Sequence, residues 1–206
     1  GMLLVRRKPK NQIFYVAESF VAVSLSWVLL SVMGAVPFVL SGYIPNPIDA
    51  LFETVSGFTT TGASILSNVE QLPKCLLFWR SFTHWIGGMG VVMFALVVLP
   101  SMGRSKMMLS NVELSTMAKD NYRYRSQIIV QILLVVYVGL TVLSTVLLKM
   151  AGMNWFDALC HAMSACATSG FSTKNASIAY FNSPAIDTIL IFVMATAGVH
   201  FGLIYA

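Results

Sequence analysis

Two short strings in this chain carry the residue types that can take a cation out of water without any acid or base: Thr60-Thr61-Gly62 and Thr168-Ser169-Gly170. Glycine lets successive carbonyl oxygens turn toward one site, and hydroxyls beside it bond neighbouring backbone or add ligands. Oxygens placed in this way replace an ion's hydration shell, and neither string contains a carboxylate. The strings sit inside a longer repeat. At an offset of 108, Asp49 to Ser64 lies against Asp157 to Ser172 with seven of sixteen positions identical, a match that chance rarely supplies within one hydropathy pattern.

Carbonyls serve an ion in this way only where water and lipid are both held off, and the rest of the chain provides such a setting. Of 206 residues, 57% are hydrophobic and 10% charged, against roughly a quarter charged in an ordinary soluble domain. Four stretches, 13–40, 75–99, 128–148 and 188–206, have lengths near the ~20 apolar residues that cross a hydrocarbon core. Each reads as a spanning helix. The charges inside them are Glu18 and Arg80, each close enough to an end for its side chain to reach the headgroups. Gly1-Met2 reads as a cloning scar, and 13–40 is too long for the apolar core of a cleaved leader, so the first helix is expected to be retained.

Two segments, 41–74 and 152–185, are too long for hairpin loops and too short for domains, and their first halves are apolar enough to re-enter the membrane. Asp49 and Asp157 stand where an N-cap is wanted. A helix starting there runs about ten residues before it meets a glycine string, too few to cross the bilayer. Irregular backbone at that depth survives only when buried in protein or lining a water-filled path. Each half-helix would aim the negative pole of its macrodipole at the membrane centre, which favours a cation.

The expected fold is therefore all-α and integral to a membrane, two helix–re-entrant pore loop–helix repeats in one orientation. The first unit covers 1–103 with its pore helix and glycine string over 48–64. A basic linker covers 104–125, and the second unit covers 126–206 with 156–172. Placing the N-terminus in the cytoplasm puts Arg6, Arg7, Lys8, Lys10, Arg104, Lys106, Lys119, Arg123 and Arg125 inside. Lys74, Arg80, Lys149 and Lys174 are left outside. Asp49, Glu53, Glu70, Asp157 and Asp187 lean outward and give a mildly negative mouth. This distribution explains the net charge of +5 better than a nucleic-acid stripe does, so no nucleic acid is expected.

Several residues have plainer readings. Gly62 and Gly170 could be left-handed helix C-caps, but a repeat that places both at the ends of half-helices favours the ion site. Asp49 and Asp157 are caps rather than ligands, being a helix length from the glycines. Trp85-Ile-Gly-Gly-Met-Gly90 favours close helix packing over a hinge. Ser81 and His84 share a helical face and suggest an intramembrane enzyme, which lacks a nucleophile elbow and a third orienting group. His161 is a packing or hydrogen-bonding residue, and Glu53 adds either negative potential or a bond that supports the string. Cys75, Cys160 and Cys166 form no CxxC and read as packing residues.

The strings SGFTTTGAS (56–64), WRSFTHWIGGMGVVMFALVVLP (79–100) and FDALCHAMSACATSGFSTKNASIAYFNSP (156–184) resemble the pore-forming subunits of Trk-type potassium uptake systems, within the Trk/Ktr/HKT superfamily. The resemblance covers nearly the whole chain. It implies a potassium-channel-like plan of four helix-pore-helix units, with one glycine per unit in a selectivity filter. Gly62 and Gly170 would be two of these, with Thr60, Thr61, Ala63, Thr168, Ser169 and Phe171 supplying the neighbouring filter backbone. Potassium would be the transported ion, with no organic cofactor. The implied partners are a second copy in a homodimer and a cytosolic nucleotide-binding regulatory ring, in the cytoplasmic membrane. Two of four units are present here, which implies a fragment whose remaining units come from the same chain or another copy. His84 and His200 stand where amides are expected, a change expected to leave the filter untouched. A membrane assembly subunit that conducts nothing is the remaining alternative.

Overall fold

The computed structural model describes residues 16–107 and 116–198, with side chains described over 20–90 and 131–198. In chain order the elements are α1 (Val16–Leu40), α2 (Pro47–Phe58), a 3-10 turn (Val69–Gln71), α3 (Lys74–Met107), α4 (Thr116–Met150), α5 (Trp155–Cys166), a second 3-10 turn (Ser177–Phe181) and α6 (Pro184–Gly198). Among the described residues every regular element is helical, and a long helix, a short helix and a third helix follow one another twice. The expected all-α architecture is present.

α1 and the C-terminal part of α4 are built from apolar residues on nearly all sides, as lipid-facing helices are. Within them Phe20–Leu40 and Gln131–Met150 are each long and apolar enough to cross a membrane, while α6 is a shorter apolar helix. Aliphatic side chains such as Val21, Met33, Val135 and Val142 stand exposed along α1 and α4. α3 reverses the soluble pattern. Its Arg80, Ser81, Thr83 and His84 are buried, facing α2 and α5, because protein can satisfy polar groups that lipid cannot.

Each unit has its own core. Ala35, Phe38, Ile44, Ala50, Leu72, Leu76 and Leu77 close around α2 in the first. Tyr137, Leu148, Met153, Ala158, Ala162, Ala165, Cys166, Ile186, Leu190 and Val193 close around α5 in the second. Cys160 and Cys166 are buried and unbridged, as packing residues are, whereas Cys75 is exposed.

The expected linker 104–125 is helical at both ends, since α3 continues to Met107 and α4 begins at Thr116. Hydropathy marks where a helix leaves lipid, not where it stops, and Lys and Arg are good helix formers in water. α6 begins at Pro184, four residues before the expected span, a position where the missing N–H of proline is harmless. Its expected end, with His200, lies outside the described residues, as do the side chains of Glu18 and of the basic residues between Arg104 and Arg125.

Candidate functional site

The two short helices are framed alike at both ends. Asn46 and Asn154 are the N-caps, their Oδ1 atoms accepting from Ile48 N at 3.1 Å and Asp157 N at 2.8 Å. The caps are thus not Asp49 and Asp157, which lie three residues inside, where a carboxylate faces the positive helix end. In the first unit Pro47 follows the cap at the first helical position, which suits it. Each helix has 12 residues, about 18 Å of rise, far less than a hydrocarbon core.

At the C-terminal ends the peptide folds back identically. Thr60 N donates to Gly57 O and Thr61 N to Ser56 O; Thr168 N donates to Ala165 O and Ser169 N to Ser164 O, all at 3.0 Å. This is the Schellman motif, and its left-handed position is held by Thr60 (φ 55°) and Thr168 (φ 51°). The glycines are therefore not the helix caps. They come two residues later, in backbone free of helical bonding.

There the two units meet. A Cβ placed on Gly62, whose φ is +78°, would stand 2.6 Å from the backbone nitrogen of Gly170 and 2.8 Å from its Cα. Only glycine allows that approach. The carbonyl oxygens of Thr60, Thr61, Gly62, Thr168, Ser169 and Gly170 accept no hydrogen bond among the described residues. Ala63 differs, because its carbonyl oxygen accepts from Ser56 Oγ at 2.5 Å and is turned to the pore helix. Phe171 also differs, its ring buried against α3. No cluster of three or more acidic, histidine or cysteine side chains stands among the described residues, so any cation here would be served by peptide and hydroxyl oxygen.

Behind each strand a side chain from the pore helix holds the segment that follows the glycine. Glu53 accepts from Ser64 Oγ at 3.0 Å and Ile65 N at 3.0 Å. At the matched position of the second repeat, His161 bonds Ser172 Oγ through Nε2 at 2.9 Å, with its Nδ1 on Asp157 O at 2.7 Å. Glu53 thus holds the segment after the first glycine string. It also receives Arg80 Nε at 2.7 Å, both side chains being buried, so Arg80 does not extend to the headgroups. Lying in the segment closest to α2, it finds a carboxylate nearer than water. Asp157 accepts from Thr173 Oγ1 at 2.6 Å and lies 3.9 Å from Lys174 Nζ. Glu53 and Asp157 are both buried and paired, so of the five acidic residues expected at the mouth these two do not stand free.

His84, expected to leave the glycine strings untouched, contacts the second one: its Nδ1 lies 2.5 Å from Ser169 Oγ and its ring stacks on Phe171 with centroids 3.9 Å apart. Ser81 instead donates to Leu77 O in its own helix. The pair shares a helical face without meeting, and the enzymatic alternative loses its geometry. The glycines of α3 seat both pore helices. A Cβ on Gly87 would overlap Phe58 O, and one on Gly88 would stand 3.0 Å from Ala167 Cα. Close packing is thus the role of this stretch.

The family model described as TrkH, cation transport protein, matches residues 1–206. The chain belongs to the TrkH family. It is 42% identical over 189 residues to the Trk system potassium uptake protein TrkH of Escherichia coli K12, covering 90% of this chain and 39% of that one. It is 37% identical to TrkH of Vibrio parahaemolyticus over 194 residues, 92% of this chain and 39% of the relative. The crystal structure of the potassium transporter TrkH from Vibrio parahaemolyticus superposes with a TM-score of 0.73 at 32% identity, covering 94% of this chain and 41% of that one. The chain spans about two-fifths of the length of these relatives. TrkH proteins are membrane transporters, not enzymes.

Sequence reasoning missed that Arg80 contacts the segments after both glycine strings, and left Glu53 undecided. A signal was available for the supports: Glu53 with Ser64 and His161 with Ser172 occupy the same places in the repeat. For Arg80 the signal was simply a charge inside an apolar span.

Proposed function

We propose that this chain forms two of the pore segments of a potassium-permeation path, with Thr60, Thr61, Gly62, Thr168, Ser169 and Gly170 offering backbone carbonyls to the ion in place of water. The observation that carries the reading is the convergence of two half-helices on a pair of glycine strands in contact, whose carbonyls have no partner among the described residues. Unpaired carbonyls inside a bilayer are unfavourable unless an ion or water meets them. The relatives named for potassium uptake support the choice of ion. Ala63 and Phe171 belong to the same strands but serve to anchor them. The remaining pore segments come from the rest of the polypeptide or another copy. The assembly works as a homodimer in the cytoplasmic membrane, N-terminus inside, regulated by a cytosolic nucleotide-binding ring.

Flux into liposomes containing the complete polypeptide tests this. Potassium uptake should exceed sodium uptake, and Gly62→Ser or Gly170→Ser should bring the two closer, because an added side chain deforms the coordinating backbone. Unchanged ion ratios in both variants would refute the filter assignment, and absence of any flux from the unsubstituted protein would favour a non-conducting subunit.

A further inference from the structure

Arg80 touches both repeats at once. Its Nε donates to Glu53 Oε1 at 2.7 Å and its Nη2 to Ser64 Oγ at 3.1 Å, both in the first unit. Its Nη1 donates to the carbonyl oxygen of Ser172 at 3.2 Å in the second. Its guanidinium carbon lies 4.0 Å from the centre of the Phe171 ring. Ser64 and Ser172 are matched residues two positions beyond Gly62 and Gly170, so one planar cation grips the same place on both strands.

The repeat has no second arginine for this task. No arginine follows Arg125 in the chain, and α6, the third helix of the second unit, carries none. The pore-helix side chains follow suit. Glu53, next to Arg80, is an anion that a buried cation can pair with, whereas its counterpart His161 bonds Asp157 O and Ser172 Oγ without a counter-ion. The second unit pairs Asp157 with Lys174 instead, so the guanidinium–carboxylate pair is lodged in the first unit and reaches the second through a single donor and a ring face. Guanidinium suits this because its N–H groups are fixed in one plane, while an ammonium on a flexible stem cannot serve three separated acceptors in set directions.

We infer that Arg80 is a positioning residue for ion discrimination: it sets the distance and register between the two filter strands, and so the size of the site their carbonyls make. Peptide oxygens can prefer one cation to another only if the backbone resists contracting onto the smaller ion. A brace shared by both strands supplies that resistance where Gly62 and Gly170 have no side chains to do so. This inference rests on the potassium-permeation reading, and unsubstituted protein in the same assay tests that reading separately.

The experiment measures potassium, rubidium and sodium flux in liposomes holding the complete polypeptide. Arg80→Lys keeps the charge beside Glu53 but loses the fork; it should reduce preference for potassium over sodium about tenfold in protein that elutes as the unsubstituted protein does. If Arg80→Lys does not accumulate, two milder variants decide. Phe171→Leu removes the ring under the guanidinium, and Ser64→Ala removes one acceptor in the first unit; each should lower the ion ratio while total potassium flux persists. A purely structural arginine would reduce the amount of folded protein and leave the ratio in the surviving fraction unchanged. That result, in Arg80→Lys or in both milder variants, overturns the inference. A lack of potassium preference in the unsubstituted protein instead overturns the reading beneath it.

Discussion

At the scale of single residues, equivalent positions of the repeat are not equally constrained. Gly62 has a left-handed φ and backbone against its missing Cβ, whereas a Cβ on Gly170 would meet Gly62 Cα at 3.8 Å, ordinary contact. Gly62→Ala should therefore damage folding and ion discrimination more than Gly170→Ala, as read by the yield of folded protein and by flux ratios; equal effects would contradict the geometry. Thr60 and Thr168 sit in a conformation that costs an L-residue with a branched side chain about 1–2 kcal/mol. Thr60→Gly should raise the thermal midpoint if nothing else holds the strand, and lower it if the bond of 2.8 Å between Thr59 Oγ1 and Thr61 Oγ1 depends on the threonine at 60. The first outcome is expected, because the Schellman bonds use backbone alone.

Among the elements, α3 carries the most consequences, since its small residues face both pore helices. Gly87→Ala would drive a methyl into the Phe58 carbonyl, which ends α2, and should abolish accumulation of folded protein. Gly139 in α4 is the control: no atom lies within 4 Å of a Cβ there, so Gly139→Ala should be neutral or stabilise by about 0.5–1 kcal/mol through helix propensity. Thermal unfolding in detergent compares the two. Loss of the cap at Asn154, which both accepts from Asp157 N and donates to Asp157 Oδ2 at 2.6 Å, should lower stability by about 1 kcal/mol in Asn154→Ala. Asn46→Ala should cost less, having one longer bond to lose.

For the molecule as a whole, the question is what joins two units with separate cores. Several sets of polar contacts do so, among them His84 with Ser169 and Trp85 with Thr141 and Tyr137; two others differ in burial. Outside the filter, Asn175 of the second unit accepts from Val69 N at 2.7 Å and donates to Asn68 Oδ1 at 2.9 Å and Glu70 Oε1 at 3.2 Å. The other is Arg80, which pairs with Glu53 of its own unit and donates to the Ser172 carbonyl of the second at 3.2 Å. Glu53→Ala should destabilise by about 3–5 kcal/mol, because it leaves a buried guanidinium without its anion. Asn175→Ala acts on exposed groups and should cost far less, within about 1.5 kcal/mol. If chemical denaturation ranks them the other way, the contacts of Asn175 matter more to stability than the buried ion pair.

What the sequence determined by itself was the count and order of helices, the repeat and the two strands at which the short helices end. Those depend on local composition: apolar runs of bilayer length, an amide or acid before a helix, hydroxyls and glycine after it. The positions of element ends were less legible, because helix propensity continues past the lipid boundary and because asparagine and aspartate compete for the same cap. Only the tertiary structure decided which partner each buried polar side chain has. Arg80 looked like a residue bound for the headgroups, Ser81 and His84 shared a face that admitted an unfavoured enzymatic alternative, and Glu53 stood between a free charge and a supporting bond. Each was settled by residues 11 or more positions away in sequence, or by a carbonyl of its own helix, and the spacing of α3 against α2 and α5 selected among them. A buried polar group must bond to whatever the packing brings near, and packing between distant segments leaves no local mark in the chain.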